Sequence, residues 1–290
     1  MPTLPNTSES AAVTDVRLTD RLWAAFIFFT RLPLWRLYEP PKEAYATVVE
    51  HWPLTGWLTG GLAAVTLYFG ACILSWPLAI LAAVAVRLLL TGALHEDGLA
   101  DFFDGMGGGG RDRQHILAIM KDSHIGTYGV LGLILYLSAL FYALYAMSPA
   151  LAALCLACAD PAAKMLSSQL IRLPYARSES TAKNRTVYRP ISPRALCSLL
   201  FQGLLPVFCC LWQSGALAAL GLSPVLAGSP EVQLTLGQAI LLPAVPLTVF
   251  LLLFAFVRRR LQGYTGDCCG AVFLLTELSL LLTASICLVW

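Results

Sequence analysis

The sequence predicts an all-α protein that crosses a membrane about seven times. Three observations carry this prediction: hydrophobic residues make up 58% of the 290 residues, charged residues make up only 12%, and the mean hydropathy is +0.71. Soluble domains carry about 25% charged residues, so the expected solvent is a lipid bilayer. A net charge of +2 gives no reason to expect a nucleic acid partner.

The number of spans follows from the apolar stretches, because a membrane-spanning helix needs about 20 mostly apolar residues. Trp76-Pro77 and Ser148-Pro149 are interpreted as breaks between neighbouring helices, since proline interrupts a helix. The expected spans are residues 54–75, 77–94, 127–147, 149–171, 196–221, 238–257 and 270–290.

The segment before the first span is expected to lie outside the hydrocarbon. Residues 1–14 are predicted to form a disordered tail, and residues 15–290 a single transmembrane catalytic domain. The apolar run Leu22 to Phe29 is too short to span and lacks the features of a secretory signal, so an interfacial or re-entrant helix is expected.

The basic residues predict the orientation. All but two of the 19 Lys and Arg residues precede the first span or fall in alternate loops. Short cytoplasmic loops retain Lys and Arg. The N-terminus is therefore expected in the cytoplasm and the C-terminus on the opposite side of the membrane.

Acidic residues cluster directly after the second predicted span. Asp97, Asp101 and Asp104 have i, i+4, i+7 spacing, which places them on one face of a helix. Three like charges this close repel unless a cation lies among them, and carboxylates with water are the ligands that Mg²⁺ or Mn²⁺ prefers. A solvated acidic loop is the alternative, although Leu99 and Phe102 make the segment amphipathic.

Further polar residues surround this segment. Gly107 to Gly110 should end the helix, and Lys121-Asp122-Ser123 mixes a cation, a carboxylate and a hydroxyl before the third span. Burying an unpaired charge in hydrocarbon costs several kcal/mol, so ionisable groups inside spans are functional candidates. They are Arg87, His95, Asp160, Lys164, Asp267 and Glu277.

Taken together, these motifs resemble the adenosylcobinamide-GDP ribazoletransferase, or cobalamin synthase, family. The resemblance rests on six stretches in the expected order: Thr30 to Pro33, Thr91 to Gly105, Lys121 to Ser123, Gly126-Thr127, Tyr175 to Arg177, and Thr265 to Asp267 with Gly270-Ala271 and Glu277. It covers nearly the whole chain.

The resemblance implies a polytopic enzyme of the bacterial inner membrane, with its active site facing the cytoplasm, that needs Mg²⁺, with Mn²⁺ as a possible substitute. Such an enzyme joins adenosylcobinamide-GDP to α-ribazole or its 5′-phosphate, releasing GMP. Association with other enzymes of the pathway is also compatible with this interpretation. Asp97, Asp101 and Asp104 are the expected metal ligands and, with His95, the catalytic residues. Substrate contacts are expected from Arg31, Arg87, Lys121, Asp122, Ser123, Lys164, Arg177, Asp267 and Glu277.

Two other functions remain open from the residues alone. A transporter of a cation or a phosphate compound would also explain charges inside spans, but it should show inverted repeats and paired broken helices. A membrane scaffold would explain the hydrophobicity but would not need three aspartates on one face. No paired base accompanies Ser123 or Thr127, so a single in-line displacement is expected rather than a covalent intermediate.

The orientation can be tested by labelling single cysteines in a variant without the nine native ones. With Ser229→Cys, a membrane-impermeant maleimide should react in intact cells, because residues 222–237 are expected in the periplasm. With Ser178→Cys, reaction should require lysis. The reverse pattern would contradict the predicted orientation.

Overall fold

The computed structural model describes residues 16–176, 188–213 and 236–288. The predicted tail at 1–14 and Arg177 lie outside these ranges. The described residues form helices and no β-strand, apart from one isolated bridge between Tyr175 and Tyr264. The ten α-helices are α1 (Leu18–Phe29), α2 (Trp52–Ile73), α3 (Trp76–Thr91), α4 (Leu94–Gly108), α5 (Arg113–Ile119), α6 (Thr127–Tyr145), α7 (Pro149–Ser167), α8 (Pro193–Gln213), α9 (Leu236–Leu261) and α10 (Gly266–Cys287). Short 3₁₀ helices cover Leu34–Arg36, Lys42–His51 and Ser168–Arg172.

Several of these helices are long and apolar enough to cross a membrane, which confirms the predicted fold class. Within the described ranges five qualify: Lys42–Ile73, Thr127–Tyr145, Pro149–Arg172, Gly237–Leu261 and Gly266–Cys287. The pair α3 and α4 qualifies as a sixth if it is one span bent by 90°. A seventh was expected at 196–221; α8 begins there at Pro193, and the rest of that stretch lies outside the described residues.

The predicted breaks at proline are confirmed. α3 begins at Trp76 and α7 at Pro149, and each carries proline in its first turn, where the missing N–H costs nothing. α10 begins at Gly266, four residues before the expected start, because Thr265 caps it by accepting a hydrogen bond from the Cys268 N–H. The expected interfacial helix is α1, whose 12 residues are too few to span.

The second predicted span ends earlier than expected, at a sharp corner. Gly92 and Ala93 both have left-handed backbone, with φ of +66° and +55°. Arg31 occupies the space that a side chain at position 92 would need. Glycine is therefore the residue that allows both the turn and this close contact. After the corner the chain runs at 90° to α3 as the acidic helix α4.

The bundle is built around α7 and α10, which are the most deeply buried of the spans. α10 packs against α4, α6, α7 and α9, and α2 packs along α7. Close approach of α2 and α7 depends on glycine: a Cβ added at Gly60 would lie 2.7 Å from the Asp160 Cβ. Gly61, the next residue, faces open space.

This packing makes a matched pair of predictions. Gly60→Ala should destabilise the protein by about 1–3 kcal/mol, because the new methyl group forces α2 away from α7. In Gly61→Ala the added methyl group contacts no other atom, so the change should be neutral or slightly stabilising, because alanine favours the helix. Thermal unfolding in detergent checks both, and equal stability of the two variants would contradict the packing.

Candidate active site

The three aspartates of α4 have three different environments. Asp97 is exposed, Asp101 is half-buried and Asp104 is buried. The helix presents them at its start, middle and end, as the i, i+4, i+7 spacing predicts. They are not, however, three equivalent ligands around one point.

Asp104 points into the neighbouring helix α6. Its carboxylate accepts hydrogen bonds from the Gly126 N–H at 2.7 Å and the Gly129 N–H at 2.8 Å. These N–H groups belong to the first turn of α6, where helices leave donors unpaired and favour negative charge. Side chains at Gly126 and Gly129 would collide with the Asp104 carboxylate, so both glycines serve this contact.

The expected ligand set of three aspartates is therefore not assembled as such. Among the residues that the structure describes, no three His, Cys, Asp or Glu side chains are arranged to hold a metal ion. Asp104 does not join such a group because each of its carboxylate oxygens accepts a hydrogen bond from a backbone N–H at the start of α6. Asp97 and Asp101 remain the carboxylates of α4 that are turned away from this contact.

The start of α10 lies against α4 at Gly98, the residue after Asp97. A Cβ added at Gly98 would be 3.0 Å from the Asp267 Cα, so the two backbones nearly touch. Asp267 thus lies beside Gly98, which follows Asp97 and precedes Asp101 by three residues. The crossing therefore brings Asp267 of α10 to the part of α4 that carries Asp97 and Asp101.

Arg31 brings positive charge to the same end of α4. The Arg31 backbone N–H donates to the Leu90 carbonyl at 2.7 Å, and the Arg31 side chain crosses Gly92 at the α3–α4 corner. Its side chain is nevertheless exposed. An arginine fixed by backbone contacts and open to solvent can orient an anionic group at the start of α4.

Arg87 and Glu277, two expected substrate contacts, instead bind each other in the interior. The Arg87 Nη1 donates to both carboxylate oxygens of Glu277 at 2.7 and 2.8 Å, and Nη2 donates to the Tyr136 hydroxyl at 2.7 Å. Glu96 lies 3.7 Å away. One guanidinium therefore ties α3 to α4, α6 and α10.

A second buried pair lies between α2 and α7. Lys164 Nζ is 2.6 Å from Asp160 Oδ1 and donates to the Thr59 hydroxyl, which in turn donates to the other oxygen of Asp160. Lys164 is only 1% exposed. Mutual neutralisation of the two charges accounts for them, and in this conformation Lys164 is closed to substrate.

His95 is enclosed by aromatic rings. Its ring stacks against Phe29 and Trp52 and meets the edge of Phe273, and the residue is 3% exposed. Its Nε2 has no hydrogen-bond partner among the described residues. The expected catalytic role would require the ring to reach solvent or substrate, which this packing prevents.

Lys121, Asp122 and Ser123 form an exposed loop between α5 and α6. The His124 Nδ1 lies 2.7 Å from Asp122 Oδ1. This contact lowers the pKa of the Asp122 carboxyl and raises the pKa of the His124 imidazole. The loop is joined to α6 immediately beside the Asp104 contact, so its polar groups lie near the C-terminal end of α4.

Comparisons with known proteins fit this arrangement. A family model described as cobalamin-5-phosphate synthase matches residues 21–285. A protein named adenosylcobinamide-GDP ribazoletransferase from Leptothrix cholodnii is 35% identical over 279 residues, covering 93% of this chain and 95% of the relative. Proteins of the same name from Rhizobium etli and Leptospira interrogans are 37% and 30% identical, each over 264 residues, covering 89% of this chain and 93% and 92% of the relatives. No solved structure matches the chain significantly.

The chain belongs to the cobalamin-5-phosphate synthase family. The match covers every residue of the acidic helix, the α3–α4 corner and α10 up to Ser285. As a member of this family the chain is an enzyme of cobalamin biosynthesis, with membrane-spanning helices.

The sequence alone missed several residues that shape this cobalamin synthase site. Arg113 donates to the carbonyls of Leu261 and Ala176, both at 2.6 Å, which ties α5 to the end of α9 and to the segment after α7. Tyr136 and Thr59 complete the two buried ion pairs. The only available signal was that Arg87 and Lys164 need partners inside a span; nothing in the spacing identifies a tyrosine or threonine as one of them.

The Asp104 contact predicts a loss of stability that the other aspartates should not share. Asp104→Asn replaces one acceptor oxygen by an N–H₂ group that faces a backbone N–H, which should cost about 1–3 kcal/mol. Asp97→Asn changes an exposed side chain and should stay within about 0.5 kcal/mol of the parent. Thermal unfolding in detergent compares them. An Asp104→Asn variant as stable as Asp97→Asn would show that the helix contact contributes nothing.

Proposed function

We propose that this chain transfers the activated corrinoid of adenosylcobinamide-GDP to α-ribazole or its 5′-phosphate. The products are GMP and adenosylcobalamin or its 5′-phosphate. The names of the relatives supply the reaction. The observation that carries it in this chain is the α4–α10 crossing, where the Asp267 backbone lies against Gly98, between Asp97 and Asp101 in the sequence, and where Arg31 is exposed at the same end of α4.

The donor set at this crossing fits Mg²⁺ in one particular way. Mg²⁺ usually keeps several waters and is held by one or two carboxylates together with substrate phosphates. Asp97 and Asp101 would supply those carboxylates, and Mn²⁺ would accept the same ligands. When bound, the ion would neutralise phosphate oxygens and the charge that develops on the leaving phosphate. Asp104 supports the site by fixing α4 against α6.

The remaining chemistry falls to side chains that bind and orient. Arg31 and Lys121, both exposed, are placed to hold phosphate oxygens at opposite ends of α4. Holding two reactants in line converts a bimolecular step into an effectively unimolecular one. In this scheme Arg87, Lys164 and Glu277 would not touch the substrate, because all three side chains are buried in ion pairs. Their effect on substrate binding would be indirect.

A single displacement is the reaction that these residues suit. A free ribose hydroxyl of the ribazole, distinct from the 5′ position that carries the phosphate in the phosphorylated acceptor, forms a bond to the phosphorus attached to cobinamide; the bridge to the GMP phosphorus breaks, and GMP leaves with the bridging oxygen. The hydroxyl proton passes to a carboxylate, for which Asp267 is the best placed. In the exposed loop the His124 imidazole contacts Asp122 rather than the Ser123 hydroxyl, so the structure gives Ser123 no paired base and favours the direct route.

The site is assigned to the cytoplasmic face of a bacterial inner membrane. The support is the distribution of basic residues in the sequence, because the α4 end, the α5 region and the end of α9 all carry Arg or Lys. The alternative function, a membrane transporter, has no comparable support. Only one bent helix pair occurs in the described ranges, whereas inverted repeats place broken helices in pairs.

The test is turnover of adenosylcobinamide-GDP with α-ribazole by the purified protein in detergent with Mg²⁺. Asp97→Asn and Asp101→Asn should each lower kcat by about 100-fold or more, since each removes charge that stabilises the transition state. Their size-exclusion profiles should match the parent. Glu39→Gln, which removes an equally exposed acid outside the site, should leave turnover unchanged.

The two substitutions have an outcome that contradicts the proposal. If both Asp97→Asn and Asp101→Asn keep near-normal kcat, the α4 carboxylates have no part in the reaction. If the parent protein produces no cobalamin or cobalamin phosphate with either form of ribazole, the assigned reaction itself is wrong.

A further inference from the structure

A cluster of exposed apolar side chains lies outside every candidate span. Residues 34–38, here called the Trp35 turn, expose 48% of Trp35, 77% of Leu37 and 45% of Tyr38. Arg36, which lies between the two most exposed residues, is also exposed. Apolar side chains on the spans are expected to face lipid, but a short 3₁₀ turn outside the spans has no such explanation.

The turn is held rigidly in this orientation. The Tyr38 hydroxyl donates to Asp20 Oδ1 at 2.6 Å, and the Trp23 indole N–H donates to the Leu34 carbonyl at 3.3 Å. The rings of Trp23 and Tyr38 also meet edge to face at 6.2 Å. These contacts anchor the turn to α1, so Trp35 and Leu37 cannot fold inward to bury their apolar surface.

The depth of the turn is fixed by its connection to α3. The Arg31 N–H donates to the Leu90 carbonyl, at the last turn of that helix. α3 has 16 residues and is therefore about 24 Å long. Because the hydrocarbon core is about 30 Å thick, a helix of this length that begins near one boundary ends near the other. The turn therefore leaves the bundle at the level of a membrane boundary.

We infer that the Trp35 turn docks on the surface of the bilayer and selects anionic phospholipid. Trp and Tyr favour the interface because their rings are amphipathic, and Leu37 adds apolar area to insert among the lipid chains. Arg36 lies between Trp35 and Leu37 and Arg31 precedes them, so lipid phosphates and anionic headgroups are the complementary partners. Neutral lipid would satisfy the apolar side chains but not the two exposed cations.

Lipid contact at this turn is coupled to the acidic helix through Arg31. The same residue that follows α1 also crosses Gly92 at the α3–α4 corner. The bilayer surface, the turn and the start of α4 are thus linked by one short segment of backbone. The lipid site itself does not depend on which reaction the enzyme performs.

Quenching of tryptophan fluorescence by brominated lipids tests the inference. The full chain is reconstituted in vesicles of phosphatidylcholine and phosphatidylglycerol in which only one of the two lipids is brominated. The difference between the parent and Trp35→Phe reports quenching at Trp35 alone. We expect brominated phosphatidylglycerol to quench Trp35 more strongly than the same fraction of brominated phosphatidylcholine.

The selectivity should depend on Arg36. Arg36→Gln should lower the ratio of phosphatidylglycerol to phosphatidylcholine quenching by roughly two- to fivefold, the effect of one basic residue at an anionic surface. Arg259→Gln, which removes an equally exposed cation from α9, should leave the ratio unchanged.

Two results would overturn the inference. Equal quenching by both lipids, unchanged in Arg36→Gln, would show apolar contact without selection of anionic lipid. No quenching of Trp35 by either lipid would show that the turn lies outside the bilayer. If Leu37→Asp then converted a dimer to a monomer, the turn would be an interface between two copies of the chain.

Discussion

The guanidinium of Arg87 lies at the centre of the bundle, and the arrangement of the site depends on its partners. It is 4% exposed and makes bonds to Glu277 and Tyr136 with Glu96 close by. In a membrane an unpaired buried charge is costly, so the four helices that carry these groups must stay together. Breaking such a pair leaves one charge without compensation, which is more damaging than replacing both groups.

This requirement explains why the acidic helix is where it is. α3 carries Arg87, the chain turns at Gly92 and Ala93, and Glu96 in the first turn of α4 approaches the same guanidinium. α4 is then fixed at its other end by Asp104 against α6. Between these two contacts lie the exposed Asp97 and the half-buried Asp101, and the start of α10 crosses α4 at Gly98 between them.

Much of the fold follows from local sequence, whereas the site depends on distant pairs. Proline at 77 and 149 sets the starts of α3 and α7, and apolar length identifies the spans. The acidic face of α4 also follows from its i, i+4, i+7 spacing. By contrast, the same spacing predicts Asp104 as a metal ligand. Its actual partners, Gly126 and Gly129, lie more than 20 residues later in the chain, so local spacing does not identify them.

The same limit applies to the charges inside the spans. The cost of burial indicates that Arg87 needs a partner, but Glu277 lies 190 residues away and its identity as that partner required the structure. Asp160 and Lys164, one helical turn apart, could be paired from spacing alone. Local periodicity therefore identifies which residues are unusual, and tertiary packing decides which of them are available to substrate.

A double-mutant cycle on Arg87 and Glu277 tests the central role of this ion pair most directly. Equilibrium unfolding is measured in mixed micelles for Arg87→Met, Glu277→Leu and the double variant. Each single change should cost about 3–5 kcal/mol, and the double variant should cost less than the sum, because neither Arg87 nor Glu277 is then left without its main partner. Additive costs, within about 0.5 kcal/mol, would contradict the account by showing that the two residues stabilise the bundle independently.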